Sequence, residues 1–191
     1  MLYSFVVKVV KGFLLLVFGI KTKGAEKVID GGAILVANHQ SNWDPVAIAA
    51  TCPKRLAFMT KSELFKFKPF GAFLKAVGAF PVHRGKGDIG AVKTSLTILK
   101  KNKPMMMFPE GKRVAEGEKC DVKPGVVMLA THAKVPVVPI KISGKFRLFN
   151  RVTVTYGDPI YLDEYYDEKL SVEKMQEIST SIMDRVYAMD K

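Results

Sequence analysis

Cysteine is scarce in this chain: its 191 residues include only Cys52 and Cys120. They form neither a disulfide framework nor metal-ligand spacing. This points to a reducing, cytosolic-facing protein in which each is a buried or incidental thiol. Long apolar runs are missing too. The uncharged stretch Gly12 to Ile20 is nine residues long, whereas a bilayer-spanning helix needs about 20. No small-residue cleavage site follows Ile20, so a secretory signal peptide fits poorly. There is no Gly-x-Ser-x-Gly elbow, and no Ser or Cys stands in a nucleophile motif. Repeats and low-complexity linkers are likewise absent, and the length suits one domain with a core of its own.

Acidic residues are few as well, 18 against 30 Lys and Arg, for a net charge of +12. The imbalance is uneven. Residues 1–157 hold 26 basic and 9 acidic residues (net +17), and residues 158–191 hold 4 and 9 (net −5). So basic a body favours phosphates, anionic lipid surfaces or nucleic acid. The lack of any recognisable nucleic-acid motif argues against the last.

At the N-terminus, Phe5 to Ile20 is apolar apart from Lys8 and Lys11. On a helix Ser4, Lys8 and Lys11 make a narrow polar stripe. That suits a helix lying in a bilayer interface with its lysines snorkelling toward headgroups; the alternative is a helix packed on the protein's own body. We assign residues 1–23 to this membrane-interface helix and 24–191 to a single domain. The expected location is peripheral and monotopic, at the cytoplasmic face of the cell membrane.

Strand and helix signals then alternate. Strands are expected at Ala33–Ala37, Arg55–Met59, Phe80–Val82, Pro104–Phe108, Val137–Ile142 and Val152–Tyr156. Helices are expected from Asp44-Pro45, over residues 61–79 with a break at Pro69, after an Asp88 cap, over Gly125–Ala133, and after a Ser171 cap. In the Asp88-capped helix Ile89, Val92, Leu96 and Leu99 share a face; in the last, Met175, Ile178, Ile182 and Val186 point inward. This alternation predicts an α/β fold: a single domain with a mainly parallel central sheet flanked by helices, preceded by the apolar, amphipathic N-terminal helix.

The chemistry-bearing residues lie at strand ends. His39 and Asp44 follow the first strand, in Asn38-His39-Gln40-Ser41-Asn42-Trp43-Asp44-Pro45. A His with an orienting carboxylate is the minimal kit for taking a proton from a hydroxyl at neutral pH. With no nucleophile motif in the chain, the nucleophile is then the substrate's own hydroxyl. Phe108-Pro109-Glu110-Gly111-Lys112-Arg113 offers an acceptor, a close backbone approach and two cations. Its other reading is a glycine turn with solvated charges. Arg84, in Phe80-Pro81-Val82-His83-Arg84-Gly85, has the bidentate fork that suits phosphate, or a surface ion pair. Lys123-Pro124-Gly125 could add a cation at a helix start. Backbone amides near Glu110-Gly111 are candidate donors to an oxyanion.

With Val135-Pro136-Val137-Val138-Pro139-Ile140, these segments make four ordered motifs over roughly residues 30–145. Together the chain resembles the 1-acylglycerol-3-phosphate (lysophosphatidate) acyltransferases, a family of glycerolipid acyltransferases. That family's motifs are His-x4-Asp, a strand ending in Arg, Pro-Glu-Gly with a basic residue, and an apolar proline-bearing run. The resemblance implies transfer of a fatty acyl group from acyl-coenzyme A or acyl-acyl carrier protein, a co-substrate, to the sn-2 hydroxyl of 1-acylglycerol-3-phosphate, giving phosphatidic acid. It implies His39 as base and Asp44 as its partner. Arg84, Glu110, Gly111, Lys112 and Arg113 would bind phosphate and glycerol, and Val135, Pro136 and Pro139 would shape the acyl-donor side. Neither metal nor redox cofactor is expected. The expected partners are an anionic phospholipid bilayer, lysophosphatidic acid and the acyl donor, and no nucleic acid. His83 stands where the family usually has an acidic residue, and Lys112-Arg113-Val114 where it often has Thr-Arg-Ser, so acceptor identity is less fixed than reaction type. The alternatives are acylation of glycerol-3-phosphate or another lysolipid, or a non-catalytic basic module.

Two further segments carry competing signals. Cations interleaved with phenylalanines from Lys54 to Lys75 suit both bilayer docking with acyl-chain access and core packing. Gly85-Lys86-Gly87-Asp88-Ile89-Gly90 matches a dinucleotide fingerprint. It follows His83-Arg84 rather than an apolar strand end, however, and leaves His39 and Asp44 unexplained.

Overall fold

The structure, a computed structural model, describes residues 2–83, 88–115, 118, 120–148 and 150–189. Helix α1 (Leu2–Phe18) leads into a sheet of seven strands. These are β1 (Lys21–Lys23), β2 (Ile34–Ala37), β3 (Ala57–Lys61), β4 (Ala79–Val82), β5 (Met105–Met107), β6 (Val137–Ser143) and β7 (Thr153–Tyr156). The connecting helices are α2 (Asp44–Thr51), α3 (Lys68–Ala76), α4 (Ile89–Lys100), α5 (Gly125–Ala133) and α6 (Val172–Ala188). The strand order is β1-β7-β6-β2-β5-β3-β4, and every pairing is parallel except β6 with β7. The expected α/β class and mainly parallel sheet are found.

Period-two alternation explains the layering. Leu35 and Ala37 of β2 join an apolar cluster with α1 and α2, including Leu14, Ala47 and Ile48. Ile34 and Val36 point the other way, into a cluster with Leu99 of α4, Val127 of α5 and Ile182 of α6. A strand buried on both faces must be apolar throughout, and all four residues of β2 are.

The topology creates the crevice. The chain leaves β2 for β3 on one side, and leaves β5 for β6 on the other. The two connections lie on opposite faces, α2 in one apolar cluster and α5 in the other, which leaves an opening outside the carboxyl ends of the strands, where such sheets bind ligands. His39 follows β2 there and Glu110 follows β5.

Three local expectations are corrected. Pro69 does not break a helix: it sits in the first turn of α3, where a missing N–H goes unnoticed. A 3-10 turn, Ser62–Phe65, fills the stretch before it. β3 begins and ends two residues later than Arg55–Met59. Lys21–Lys23, with no apolar residue to signal a strand, is an edge strand paired to β7, and its lysines blunt an open edge.

Candidate active site

Asp44 opens α2 and is fully buried, with Pro45 preset for the first turn. Its Oδ2 accepts the backbone N–H groups of Gln40 and Ser41 at 2.6 Å each. The same oxygen lies 2.9 Å from His39 Nδ1. The imidazole thus donates through Nδ1–H and leaves Nε2 with its lone pair, the arrangement of a general base. His39 is 9% exposed. Its ring stacks on Phe108, centroids 4.1 Å apart and planes 17° from parallel, which fixes the ring plane that Asp44 alone would leave free to tilt.

The loop carrying His39 is held from both neighbouring strands. On one side, the Asn38 side chain donates to the Ile142 carbonyl at 3.0 Å and accepts the Ile142 N–H at 2.8 Å. On the other, the His39 N–H donates to Glu110 Oε2 at 2.7 Å, and the His39 carbonyl accepts from Val114 N–H at 2.8 Å. Glu110 is 3% exposed, and its second oxygen, Oε1, accepts from the Tyr187 hydroxyl at 2.5 Å. Burial pushes the Glu110 carboxyl above its usual range, while Tyr187 and the His39 amide pull it back down. The Tyr187 hydroxyl is driven well above 10, first by burial and then by Glu110, so it stays a donor.

The sequence-predicted residues separate into three groups. His39, Asp44 and Glu110 converge at the crevice. Both Glu110 oxygens are engaged by the protein itself. Gly111 sits at φ +65°, a left-handed turn that favours glycine, and its N–H donates to the Phe108 carbonyl. That amide is therefore committed to the turn rather than offered to an oxyanion. Lys112 and Arg113 are exposed beyond it. Lys123 approaches the same turn. Burial and then Glu110 push the nearby Cys120 thiol up, with Lys112 and Lys123 opposing. A second group is not brought to His39. Val135 and Pro136 precede β6, which pairs in parallel with β2 through Ile34↔Val137. They lie at the opposite end of the strands, and the Pro136 carbonyl accepts from the Ile34 N–H. Pro139 sits mid-strand opposite Val36. Arg84 forms the third group and lies outside the described residues, as do Gly85 and Gly87 of the dinucleotide-like run.

Cys52 is buried, and desolvation pushes its thiol up to about 11, an inert group as expected. Among the described residues, no group of three or more His, Cys, Asp or Glu is arranged to hold a metal ion. The helix-terminal Asp88 accepts the backbone N–H groups of His83 and Ala91. This draws its carboxyl down to about 2.

Three site residues had no assigned role in the sequence. Asn38 stood beside His39 without a partner in sight, because Ile142 is 104 positions away. Phe108 read only as strand. Tyr187 gave no local signal at all.

An imidazole and its carboxylate in the crevice at the carboxyl ends of a parallel sheet suit chemistry that begins by deprotonating a hydroxyl. The acyltransferase family model matches residues 19–143; the chain belongs to the acyltransferase family. Its relatives narrow the comparison. It is 34% identical over 169 residues to the 1-acyl-sn-glycerol-3-phosphate acyltransferase of Streptococcus pneumoniae, covering 85% of this chain and 62% of that protein. It is 27% identical over 196 residues to the Bacillus subtilis enzyme of the same name, covering 99% and 97%. The crystal structure of the 1-acyl-sn-glycerophosphate (LPA) acyltransferase, PlsC, from Thermotoga maritima shares the fold. Its TM-score is 0.73 at 22% identity, over 97% of this chain and 79% of that one.

Proposed function

We propose that this chain transfers a fatty acyl group from a thioester, acyl-coenzyme A or acyl-acyl carrier protein, to the sn-2 hydroxyl of 1-acylglycerol-3-phosphate, giving phosphatidic acid. The observation that carries the reading is the 2.9 Å contact of His39 Nδ1 with Asp44, which leaves Nε2 as the proton acceptor. Nε2 takes the hydroxyl proton as the oxygen attacks the thioester carbonyl. The tetrahedral intermediate collapses, the C–S bond breaks, and the imidazolium returns the proton to the leaving thiolate. Asp44 stabilises the imidazolium between these steps. Arg84, Lys112 and Arg113 supply the cations for the acceptor phosphate, and the names of the relatives support that acceptor.

An apolar cavity of about 370 Å³ lies between α1, α2 and α3, lined by Val10, Val46, Ala50, Phe58, Phe73 and Leu74. Pro45 and Val46, which follow Asp44 directly, form part of its wall. We assign it to a fatty chain. Leu14 and Phe18 of α1 are buried in the body while Val9, Phe13, Leu15 and Leu16 are exposed. Phe67, Phe70 and Phe73 of the α3 region are exposed among Lys66, Lys68 and Lys75. These surfaces suit peripheral docking on an anionic bilayer. Among the described residues no helix is long and apolar enough to cross a membrane.

The test is transfer from palmitoyl-coenzyme A and palmitoyl-acyl carrier protein to 1-acylglycerol-3-phosphate in detergent micelles, wild type beside His39→Ala. Activity in the wild type that disappears in the variant supports reaction and base together. No transfer from either donor overturns the assigned acceptor, and a panel including glycerol-3-phosphate follows. Removing residues 1–20 should release the protein from anionic vesicles; undiminished binding would sink the docking role of α1.

A further inference from the structure

We propose that Tyr187 is a positioning residue for the reaction: its hydroxyl fixes Glu110, and Glu110 fixes the backbone of His39. The contacts are Tyr187 Oη to Glu110 Oε1 at 2.5 Å and His39 N–H to Glu110 Oε2 at 2.7 Å. Glu110 is thereby a strut between the last helix and the catalytic loop, rather than a group kept free for the acceptor.

The placement follows from α6. Its inward stripe, Ile178, Ile182, Met183 and Val186, packs against β2 and β6. Tyr187 stands beside that stripe, half-buried, with its ring on the apolar cluster and its hydroxyl at the crevice. Lys141 of β6 holds the ring from another side, its Nζ 5.2 Å from the ring centroid. A carboxylate this buried needs a donor on each oxygen. Without the tyrosine hydroxyl, burial favours a protonated or rotated Glu110. Rotation breaks the bond to His39, and protonation removes the charge that strengthens it. The raised Tyr187 hydroxyl keeps its proton at working pH, so the donor is permanent.

This inference rests on the acyl-transfer reading only for its kinetic readout. Tyr187→Phe keeps the ring under Lys141 and removes one oxygen. The expected result is kcat about 10- to 100-fold lower, the loss of one charge-assisted hydrogen bond, with KM for the acceptor within about twofold. Exchange of the His39 amide proton, followed by NMR, should quicken by about tenfold or more. In a Glu110→Ala background the same substitution should change kcat by less than about twofold, because the hydroxyl has lost its partner. Tyr161→Phe, at an exposed tyrosine, should change neither readout. An unaltered His39 amide in Tyr187→Phe overturns the proposal whatever the kinetics. A higher KM with unchanged kcat also overturns it, since Glu110 would then serve the acceptor directly. If the wild type transfers to no acceptor, the functional reading fails, and the amide exchange still decides the strut.

Discussion

One oxygen of Asp44 holds both the His39 ring and the loop that carries it: Oδ2 is 2.9 Å from His39 Nδ1 and 2.6 Å from the backbone nitrogens of Gln40 and Ser41. Asp44 thereby sets the tautomer of His39 and the path of the chain around it. The buried carboxylate opens helix α2, where the helix dipole favours a negative charge.

Asp44→Asn removes the charge that stabilises the imidazolium and leaves an oxygen for the two backbone donors. We expect kcat to fall by about 10²–10⁴, the worth of general-base assistance, with a folded protein by thermal melting. Activity within threefold of wild type would exclude the pair from proton transfer.

Asn38→Ala leaves the buried Ile142 N–H without its partner and the Ile142 carbonyl with only the longer 3.4 Å contact from the Gln40 side chain. At about 1–3 kcal/mol for an orphaned group, urea unfolding should show a loss of about that size. Loss of activity should accompany it, since the same bonds hold the loop of His39 to β6.

Phe108→Leu keeps much of the apolar volume and removes the stack on His39. A stacked pair contributes about 0.5–1.5 kcal/mol beyond burial, which corresponds to roughly 2- to 12-fold in kcat if the ring must be held flat. Phe108→Tyr should restore most of it. Equal rates for Leu and Tyr would show that the stack serves packing alone.

Asp88 caps α4 through Ala91 N–H and also holds His83. Its carboxyl is drawn from an ordinary 3.8 down to about 2. A depressed carboxylate stabilises the fold above its unfolded pKa and loses that contribution as pH falls through the folded one. Asp88→Ala should therefore melt below wild type at pH 7, and the gap should close between pH 4 and pH 2. A gap that persists at pH 2 would assign the effect to something other than this charge.

Much of the site was legible because its strongest signals are local. His39 and Asp44 lie five positions apart, and Pro45 announces the helix that presents the carboxylate. Asp88 and Ser171 signal helix starts by the same short-range logic, and both accept the expected backbone N–H. Apolar β2 read as a buried strand, and the alternation of elements fixed an α/β class. Pro69 misled because a proline inside an apolar stretch reads equally as a break or a beginning. β1 escaped because hydrogen bonding to a distant β7, rather than any apolar pattern, makes it a strand.

The sequence by itself determined which residue types could perform a proton transfer and the short spacings that hold them together, since five residues of chain can bring an imidazole to a carboxylate. The tertiary structure decided what surrounds them. Strand order opened the crevice at the carboxyl ends of β2 and β5, and left Val135 and Pro136 at the far end of the same sheet. Packing of α6 brought Tyr187 to Glu110, and the end of β6 brought Ile142 to Asn38. Contacts between residues 77 and 104 positions apart depend on how layers stack, and no local propensity encodes that.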